Sequence, residues 1–137
     1  MDKVRKSNEE WRAELSPEVY YVTREAGTER PFSGLYNDFY EHGDYYCACC
    51  GALLFKSQQK FDSHCGWPAF FDEAEIGSTY RVRDLSHGMV REEVRCSRCE
   101  AHLGHVFPDG PPPTGERYCI NSLAMAFKAR SDTEAEK

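Results

Sequence analysis

Two cysteine pairs constrain the fold of this chain more than any other feature of its sequence. Cys47 and Cys50 form one C-x-x-C pair, and Cys96 and Cys99 form a second pair much further along the chain. Two thiolates three residues apart on a tight turn can converge on one ion, and two such turns complete a tetrahedron. We therefore predict a Cys₄ site for one Zn²⁺ ion, which ties two separate hairpins together.

The four predicted ligands leave no open coordination position, so the ion is expected to be structural rather than catalytic. Gly51, directly after the first pair, tolerates the positive φ of a metal-binding turn. Cys49 lies within the same turn, but its spacing fits neither Cys47 nor Cys50 as a partner. We assign Cys49 no role, and it leaves open only which cysteines of this turn bind the ion.

The composition limits the class of protein. With 137 residues the chain is long enough for one compact domain, which we assign to residues 1–137 with disordered ends at residues 1–6 and 130–137. The net charge of −6 argues against a nucleic-acid or anionic-membrane surface. No apolar run approaches the length of a membrane span. We expect a monomer with no nucleic-acid partner and no membrane association.

The expected compartment determines how the seven cysteines are interpreted. The N-terminus is charged and no apolar segment follows it, so it lacks the pattern of a secretory signal. We therefore expect a cytoplasmic protein, in which cysteines bind metals or take part in redox chemistry more often than they form structural disulfides. The odd number of cysteines also excludes a fully paired disulfide framework within one chain.

The pattern along the chain predicts two short helices followed by a β domain. Ser7 begins a capping-box pattern and a helix that runs through Leu15, and Ser16, followed by proline, begins a second helix that ends near Glu25. We expect these helices to cover a sheet rather than to form the chemical centre. Short aromatic-rich runs then alternate with turn residues, which is typical of antiparallel strands. The predicted strands cover residues 44–47, 52–55, 79–83, 89–95 and 103–107, and the register of 89–95 is left open.

A further extended segment, residues 117–121, follows a proline-rich turn and carries the most informative thiol. Side chains alternate on an extended segment, so Arg117, Cys119 and Asn121 share one face. A nearby positive charge lowers the pKa of a thiol, and the thiolate is the reactive form. Cys119 is therefore a candidate nucleophile. A half-buried structural cysteine is the alternative interpretation of this segment taken alone.

Cys65 provides a second candidate thiol. It lies in a loop, because Gly66 and Pro68 follow it closely. A thiol on a loop and a thiol on a strand suit a two-cysteine redox cycle, in which one is oxidised to a sulfenic acid and the other condenses with it. Sequence spacing alone does not show whether Cys65 and Cys119 meet in space.

Two histidines directly follow the second metal-binding turn. His102 and His105 could activate a thiolate or donate a proton near neutral pH, although a single histidine is more often structural. In a regular strand these two side chains face opposite sides of the sheet. Both reach one site only if Gly104 bends the backbone.

Together these motifs resemble the peptide-methionine (R)-S-oxide reductases, the B type of methionine sulfoxide reductase. Both C-x-x-C pairs, the Cys65-Gly66-Trp67-Pro68 segment, residues 102–107 and residues 115–122 occur in the order of that family, and the resemblance covers about residues 15–127. It implies a mainly β fold of two small antiparallel sheets, the β-tent or Mss4-like fold, with short N-terminal helices and a Cys₄ zinc site. The chain resembles the zinc-containing, two-cysteine form of the family.

The resemblance also implies the course of the reaction. The substrate would be the R epimer of methionine sulfoxide in oxidised proteins. Cys119 would attack the sulfoxide sulfur and become a sulfenic acid, with Arg117 raising its thiolate fraction. Cys65 would resolve that intermediate as a disulfide, which thioredoxin would then reduce.

The remaining site residues take their roles from the same resemblance. His102, His105 and Asn121 would bind and protonate the sulfoxide oxygen, because bare oxide is a poor leaving group. Trp67 and Phe107 would form an apolar wall for the terminal methyl group. An apolar wall opposite polar donors distinguishes the methyl group from the oxygen, and it therefore selects one configuration at sulfur.

Three other classes of protein fit the sequence less well. A zinc-stabilised binding module without catalysis is the main alternative, but it does not explain the order of Cys65, Cys119 and the two histidines. A zinc hydrolase or deaminase needs an open metal position and a histidine ligand with a nearby glutamate, for which no motif occurs. A thiol oxidoreductase that acts on disulfides usually has both redox cysteines in one C-x-x-C turn. In this chain both such turns are assigned to the metal.

Overall fold

The computed structural model describes residues 3–129, and within that range the chain forms two α-helices and nine strands. Residues 1–2 and 130–137, where the sequence predicts disorder, lie outside the described residues. In the described part of the first segment, the Val4 N–H donates to the Arg98 carbonyl at 2.8 Å. No helix between residues 3 and 129 is long and apolar enough to cross a membrane.

Two helices, α1 (Asn8–Glu14) and α2 (Pro17–Arg24), begin where the sequence predicts. The Ser7 hydroxyl accepts from the Glu10 N–H, and the Glu10 carboxylate accepts from the Ser7 N–H, so the predicted capping box forms. Ser16 caps α2, because its hydroxyl accepts from the N–H of Val19, the third residue of that helix. These bonds satisfy donors that the first turn of a helix otherwise leaves unpaired.

Nine strands form two antiparallel sheets. They are β1 (Gly43–Cys47), β2 (Leu53–Lys56), β3 (Lys60–Phe61), β4 (Ala69–Phe70), β5 (Thr79–Asp84), β6 (Arg91–Cys96), β7 (His102–Phe107), β8 (Arg117–Ile120) and β9 (Met125–Ala129). The order is β2-β1-β9 in one sheet and β3-β4-β8-β7-β6-β5 in the other. The expected mainly β fold of two antiparallel sheets with short N-terminal helices is confirmed.

Aromatic side chains join the two sheets. Tyr45 and Phe55 of the three-stranded sheet lie 5.2 Å and 4.4 Å from Phe70 of the six-stranded sheet, measured between ring centroids. Phe55 also contacts Tyr118 of β8 at 5.7 Å. All four rings are buried, and burial of such a side chain stabilises the fold by roughly 1.5–3 kcal/mol. Because Tyr118 faces this cluster, Cys119 lies on the opposite face of β8, as the predicted alternation requires.

The helices cover the six-stranded sheet and also contribute to the core. Helix α2 packs against β7 and against the short 3₁₀ turn at residues 122–124. Trp11 of α1 and Tyr20 and Val22 of α2 are buried. The predicted placement of the helices over a sheet is therefore confirmed.

Strand β6 begins two residues later than the sequence predicts. Residues 86–88 form a 3₁₀ turn, which leaves Met89 outside the strand. β6 pairs with β5 on one edge and with β7 on the other. Its interior position buries adjacent residues Glu93 and Val94 on opposite faces, which explains why this run does not alternate as a one-sided strand does.

An irregularity in β7 brings its two histidines together. Leu103 is an extra residue between the pairs that His102 and Gly104 make with β6. Such a bulge bends the strand and changes the direction of its side chains. The ring centroids of His102 and His105 are consequently 5.6 Å apart. The sequence made a shared position of the two histidines conditional on a bend at Gly104, and the structure has the bulge one residue earlier, at Leu103.

Gly104 is required by a close approach between strands. A Cβ atom at this position would lie 2.0 Å from the Cys119 carbonyl oxygen of β8. A side chain here would therefore push β8 away from β7. The glycine thus sets the spacing between the strand that carries the histidines and the strand that carries Cys119.

We expect Gly104→Ala to lower the free energy of unfolding by about 3 kcal/mol, because the β8 backbone has to move. Equilibrium denaturation measures this loss. Gly77→Ala is the matched control: nothing lies within 4 Å of a Cβ there, although its φ of +90° makes alanine strained, at a cost of about 1 kcal/mol. A loss at Gly104 no larger than that of the control would contradict the close approach.

Candidate active site and metal centre

Cys119 lies in the middle of the six-stranded sheet. Strand β8 runs between β4 and β7, and Ala69 and His105 are the residues directly across from Cys119. Strand pairing on both sides fixes the backbone of this cysteine, and only 9% of the residue is exposed. The candidate nucleophile is therefore held in one position by the sheet.

Arg117 links Cys119 to an acidic group and to an aromatic ring. Its Nη1 donates to Cys119 Sγ at 2.8 Å, and its Nε and Nη2 donate to the Asp109 carboxylate at 2.9 Å and 3.1 Å. The bond to Asp109 raises the pKa of Arg117. The guanidinium carbon lies 4.5 Å from the centroid of the Phe107 ring. This fixed cation favours the thiolate form of Cys119.

Cys65 and Cys119 are in direct contact. Their Sγ atoms are 2.9 Å apart, whereas a disulfide has a length of about 2.05 Å. Cys65 lies in the loop between β3 and β4, and its thiol also donates to the Trp67 carbonyl at 3.2 Å. The structure therefore brings together the two thiols whose meeting the sequence leaves open.

The two thiols share a hydrogen bond, and this bond shifts both of their pKa values. It lowers the pKa of Cys65 to about 5. The same bond, together with burial, raises the pKa of Cys119, while Arg117 acts on Cys119 in the opposite direction. The pair as a unit therefore loses its first proton more readily than an isolated thiol. The resulting negative charge lies next to Arg117.

These groups surround one open cleft of about 320 Å³. Its lining contains all but one of the residues that the sequence assigns to catalysis and substrate binding. They are Cys65, Trp67, His105, Phe107, Arg117, Cys119 and Asn121. His102 is not part of the lining, which also includes Thr28, Arg91 and Gly104.

The two histidines differ in their access to the cleft. His105 lines it, and its Nε2 lies 2.8 Å from Asp84 Oδ2. Burial lowers the pKa of His105 and outweighs the bond to Asp84, which raises it. His102 lies beside His105 with only 4% of its surface exposed, and its Nδ1 is 2.7 Å from Glu93 Oε2. Within residues 3–129, its Nε2 is buried without a hydrogen-bond partner.

The pKa of Glu93 reflects two opposing effects. Burial raises it, but the hydrogen bonds and charges of His102 and Arg95 outweigh burial and lower it to about 2. Arg95 donates to both carboxylate oxygens of Glu93, at 2.9 Å and 3.0 Å. Glu93 is therefore an ionised partner that fixes the orientation of the His102 ring.

Glu29, in the loop before the sheets, positions one residue on each of two sides of the cleft. The Glu29 N–H donates to Asn121 Oδ1 at 3.0 Å, and the Glu29 carbonyl accepts from Trp67 Nε1 at 3.1 Å. Asn121 Nδ2 donates to the Leu103 carbonyl at 3.0 Å, which leaves one amide hydrogen for other contacts. The Glu29 side chain is itself anchored, because its Oε1 accepts from the Leu123 N–H at 2.9 Å.

Sequence reasoning missed the acidic residues of the site. The carboxylate of Asp84 contacts His105, and that of Glu93 contacts His102. The backbone of Glu29 binds Trp67 and Asn121. The three acidic residues come from different segments of the chain. No motif marks these acids. A correct strand register would have placed Glu93 on the sheet face of the histidines, because it lies directly across from His105 in the β6–β7 pair.

The four cysteines predicted to bind a metal converge. Their sulfur atoms all lie within 4.8 Å of one another. The Sγ atoms of Cys47 and Cys99 are 3.6 Å apart, as are those of Cys50 and Cys96. Four sulfurs about 2.3 Å from a tetrahedral zinc ion lie about 3.8 Å from one another, so this cluster fits such an ion. Cys49 is not part of the cluster.

Helix α2 covers the four-cysteine cluster with a cation. Arg24 Nη2 donates to the Cys99 carbonyl at 3.0 Å and lies 3.4 Å from Cys99 Sγ. The Arg24 guanidinium also lies 4.4 Å from the centroid of the Trp11 ring. Four thiolates around one divalent ion would carry more negative charge than the ion neutralises, and Arg24 would oppose that excess.

Comparisons with known proteins agree with this site. The SelR domain family matches residues 15–129. The chain is 57% identical over 130 residues to the peptide methionine sulfoxide reductase MsrB of Pseudomonas putida strain F1, covering 95% of this chain and 99% of that protein. It is 63% identical over 123 residues to the protein of the same name from Thioalkalivibrio sulfidiphilus, covering 90% of each. The chain therefore belongs to the SelR domain family. Within that family it groups with the proteins named peptide methionine sulfoxide reductase MsrB, which confirms the resemblance drawn from its motifs.

We expect Asp84→Asn to lower the pKa of His105 further. The substitution removes the carboxylate that raises this pKa, while burial and the charge of Arg91, which lower it, remain. The ring-proton resonances of His105, followed by NMR from about pH 5 to pH 8, report the change. Asp62→Asn is the control, because Asp62 pairs with the exposed His64 instead. A pKa of His105 that stays constant or rises in Asp84→Asn would exclude this role of Asp84.

Replacing Cys96 by serine should lower the metal content and the melting temperature together, because metal affinity is part of the folding free energy. Elemental analysis should find roughly one ion per wild-type chain and almost none in the variant, with a melting temperature lower by roughly 10 °C or more. Cys49→Ser is the control and should keep both values near those of the wild type. Unchanged metal content in Cys96→Ser would refute the assignment of the cluster.

Proposed function

We propose that this protein reduces the R epimer of methionine sulfoxide in oxidised proteins to methionine, with formation of a Cys65–Cys119 disulfide. The observation that carries the proposal is the 2.9 Å contact between these two thiols, next to Arg117 and within an open cleft. The names of the relatives support the substrate class, because they are peptide methionine sulfoxide reductases.

In the first step the Cys119 thiolate attacks the sulfoxide sulfur. The net change is the transfer of one oxygen atom from the substrate sulfur to the sulfur of Cys119, which yields methionine and a sulfenic acid. Two electrons pass to the substrate sulfur, and the proton that leaves the thiol is returned to the sulfenic oxygen. Arg117 supports this step because it stabilises the thiolate from 2.8 Å.

The sulfoxide oxygen needs hydrogen-bond donors as its bond to sulfur weakens. His105 lies directly across from Cys119, and Asn121 has one amide hydrogen that its bond to Leu103 does not use. We assign the binding of the oxygen to these two residues. His102 takes a supporting position, because Glu93 fixes its ring beside His105 rather than in the lining of the cleft.

In the second step Cys65 attacks the sulfur of the Cys119 sulfenic acid. The new S–S bond forms as the S–O bond breaks, and the oxygen leaves as water after accepting the proton of Cys65. Cys65 lies on a loop, so it can approach the fixed sulfur of Cys119 without displacing the sheet. A dithiol must then reduce the disulfide, and thioredoxin is the proposed reductant.

The shape of the cleft accounts for the choice of epimer. The Trp67 indole is held by the Glu29 carbonyl, and the Phe107 ring lies under the Arg117 guanidinium. These rings form an apolar wall for the methyl group of the substrate, while His105 and Asn121 contribute polar groups for its oxygen. In the other epimer the methyl group and the oxygen exchange places at sulfur. The methyl group would then face the polar groups, and the oxygen would face the apolar wall.

One Zn²⁺ ion is the proposed occupant of the Cys₄ cluster, where it would cross-link the two turns and take no part in the reaction. The four sulfurs fit a tetrahedral ion, and all four positions would be filled by protein. We further propose a cytoplasmic monomer with oxidised proteins and thioredoxin as its partners, and with neither a nucleic-acid nor a membrane partner.

Cys119→Ser should lower the rate of reduction of an R-sulfoxide peptide by roughly 10³-fold or more, because the nucleophile is lost. Cys65→Ser should complete one turnover and then stop in the presence of thioredoxin. Mass spectrometry of matched R and S sulfoxide peptides follows both reactions. Cys49→Ser should cycle like the wild type. Wild-type protein that binds the R peptide without reducing it would support a binding module instead.

A further inference from the structure

The loop between α2 and β1 contacts the loop that carries Cys65. The Phe32 N–H donates to the Gly66 carbonyl at 2.6 Å. A Cβ atom on Gly66 would lie 2.9 Å from Pro31 Cβ and 3.3 Å from Phe32 Cε2. Pro31 and Phe32 therefore lie directly against the residue that follows Cys65. They lie outside the cleft, because its lining on this side consists of Thr28, Cys65 and Trp67.

Phe32 is unusual in two respects for a residue of a folded domain. It is 68% exposed, although burial of such a large apolar side chain would stabilise the fold. Its φ of +63° lies in the left-handed region, which a bulky residue rarely adopts. Strained backbone of this kind is concentrated at functional sites. The exposure and the strain together favour a binding role for Phe32 over a packing role.

The proposed reaction cycle indicates which partner has to approach this surface. Each turnover leaves a Cys65–Cys119 disulfide, and an external thiolate has to attack one of its two sulfur atoms. Cys119 is 9% exposed and is held in the middle of a sheet, whereas Cys65 is only partly buried and lies in a loop. A thiol on the surface of another protein therefore has better access to Cys65.

The leaving group also favours attack at Cys65. When the reductant thiolate attacks Cys65 Sγ, a mixed disulfide forms, the bond to Cys119 breaks, and Cys119 leaves as a thiolate. Arg117 Nη1 lies 2.8 Å from Cys119 Sγ in the dithiol form and stabilises that thiolate. The second thiol of the reductant then attacks its own partner sulfur in the mixed disulfide and releases Cys65. Two electrons pass to the protein, and its two thiols take up the two protons that the reductant loses.

We propose that the exposed surface formed by Pro31 and Phe32 is the docking site of a protein dithiol reductant, which attacks the disulfide at Cys65. The inference rests on the proposed function, and it adds the contact surface of the reductant and the sulfur that it attacks. Because Phe32 lies against Gly66, a protein that brings its thiol to Cys65 also contacts the Phe32 ring. A small dithiol such as dithiothreitol reaches Cys65 without this contact.

The first test compares thioredoxin and dithiothreitol as reductants with the same R-sulfoxide peptide. Phe32→Asn removes the ring, and its melting temperature should equal or exceed that of the wild type, because asparagine tolerates positive φ. We expect kcat/KM for thioredoxin to fall about fivefold or more, mainly through KM, while turnover with dithiothreitol and KM for the peptide change by less than about twofold. Phe32→Trp, which keeps an aromatic ring, should retain the thioredoxin kinetics of the wild type.

Ile76→Asn is the matched control. Ile76 is also a fully exposed apolar residue, but it lies in the loop between β4 and β5, so its replacement should change neither reaction. Unchanged thioredoxin kinetics in Phe32→Asn would overturn the proposal. Equal losses with both reductants, or a raised KM for the peptide, would also overturn it, because Phe32 would then contact the substrate polypeptide instead.

The second test identifies the sulfur that is attacked. A thioredoxin variant that keeps only its attacking cysteine stops at the mixed disulfide. Incubated in excess with the disulfide form of the wild-type protein, it should be found by mass spectrometry of proteolytic fragments to be joined to Cys65, and a link to Cys119 would overturn the proposal. The failure of the proposed function is seen separately, as the failure of the wild type to reduce the R-sulfoxide peptide with dithiothreitol.

Discussion

Four sulfur atoms join the two sheets, and the arrangement of the whole domain depends on them. Cys47 ends β1 of the three-stranded sheet, and Cys96 ends β6 of the six-stranded sheet. The aromatic cluster around Phe70 holds the same two sheets together through non-directional contacts. The sulfur cluster would add direction with the proposed ion bound, because a tetrahedral ion permits only one relative placement of the two turns. Helix α2 is fixed to this centre through Arg24 and covers the sheet from there.

The two thiols of the cleft combine a fixed group with an adjustable one. Cys119 is held by strands on both sides, and its neighbour Tyr118 is buried in the aromatic cluster. Cys65 is held by a loop and by the contact with Cys119 itself. The proposed reaction, in which one sulfur first attacks the substrate and is then attacked by a second thiol, would need this division. The position of β8 sets the geometry of the first attack, and the loop allows the second.

The sequence predicted the cysteine cluster and the contact between Arg117 and Cys119, but it did not predict the hydrogen bonds that hold the histidines. The spacing of the two C-x-x-C pairs was sufficient to predict the metal cluster, because a tight turn determines where two thiols three residues apart point. Alternation was sufficient to place Arg117 beside Cys119. The acids that hold the histidines could not be predicted in the same way. Asp84 and Glu93 reach His105 and His102 only because Leu103 bulges and because β5, β6 and β7 pair in one particular register. Those features depend on the packing of distant segments, which no local pattern records.

The chain contains two tryptophans, and each of them belongs to a different centre. Trp11 lies under Arg24, which contacts the sulfur cluster, and Trp67 borders the catalytic cleft with its indole bonded to Glu29. Trp11 is 1% exposed, whereas Trp67 is only partly buried. The two indoles therefore emit light from distinct surroundings. The fluorescence of Trp11 therefore reports on the integrity of the scaffold, and the fluorescence of Trp67 reports on the occupancy of the cleft.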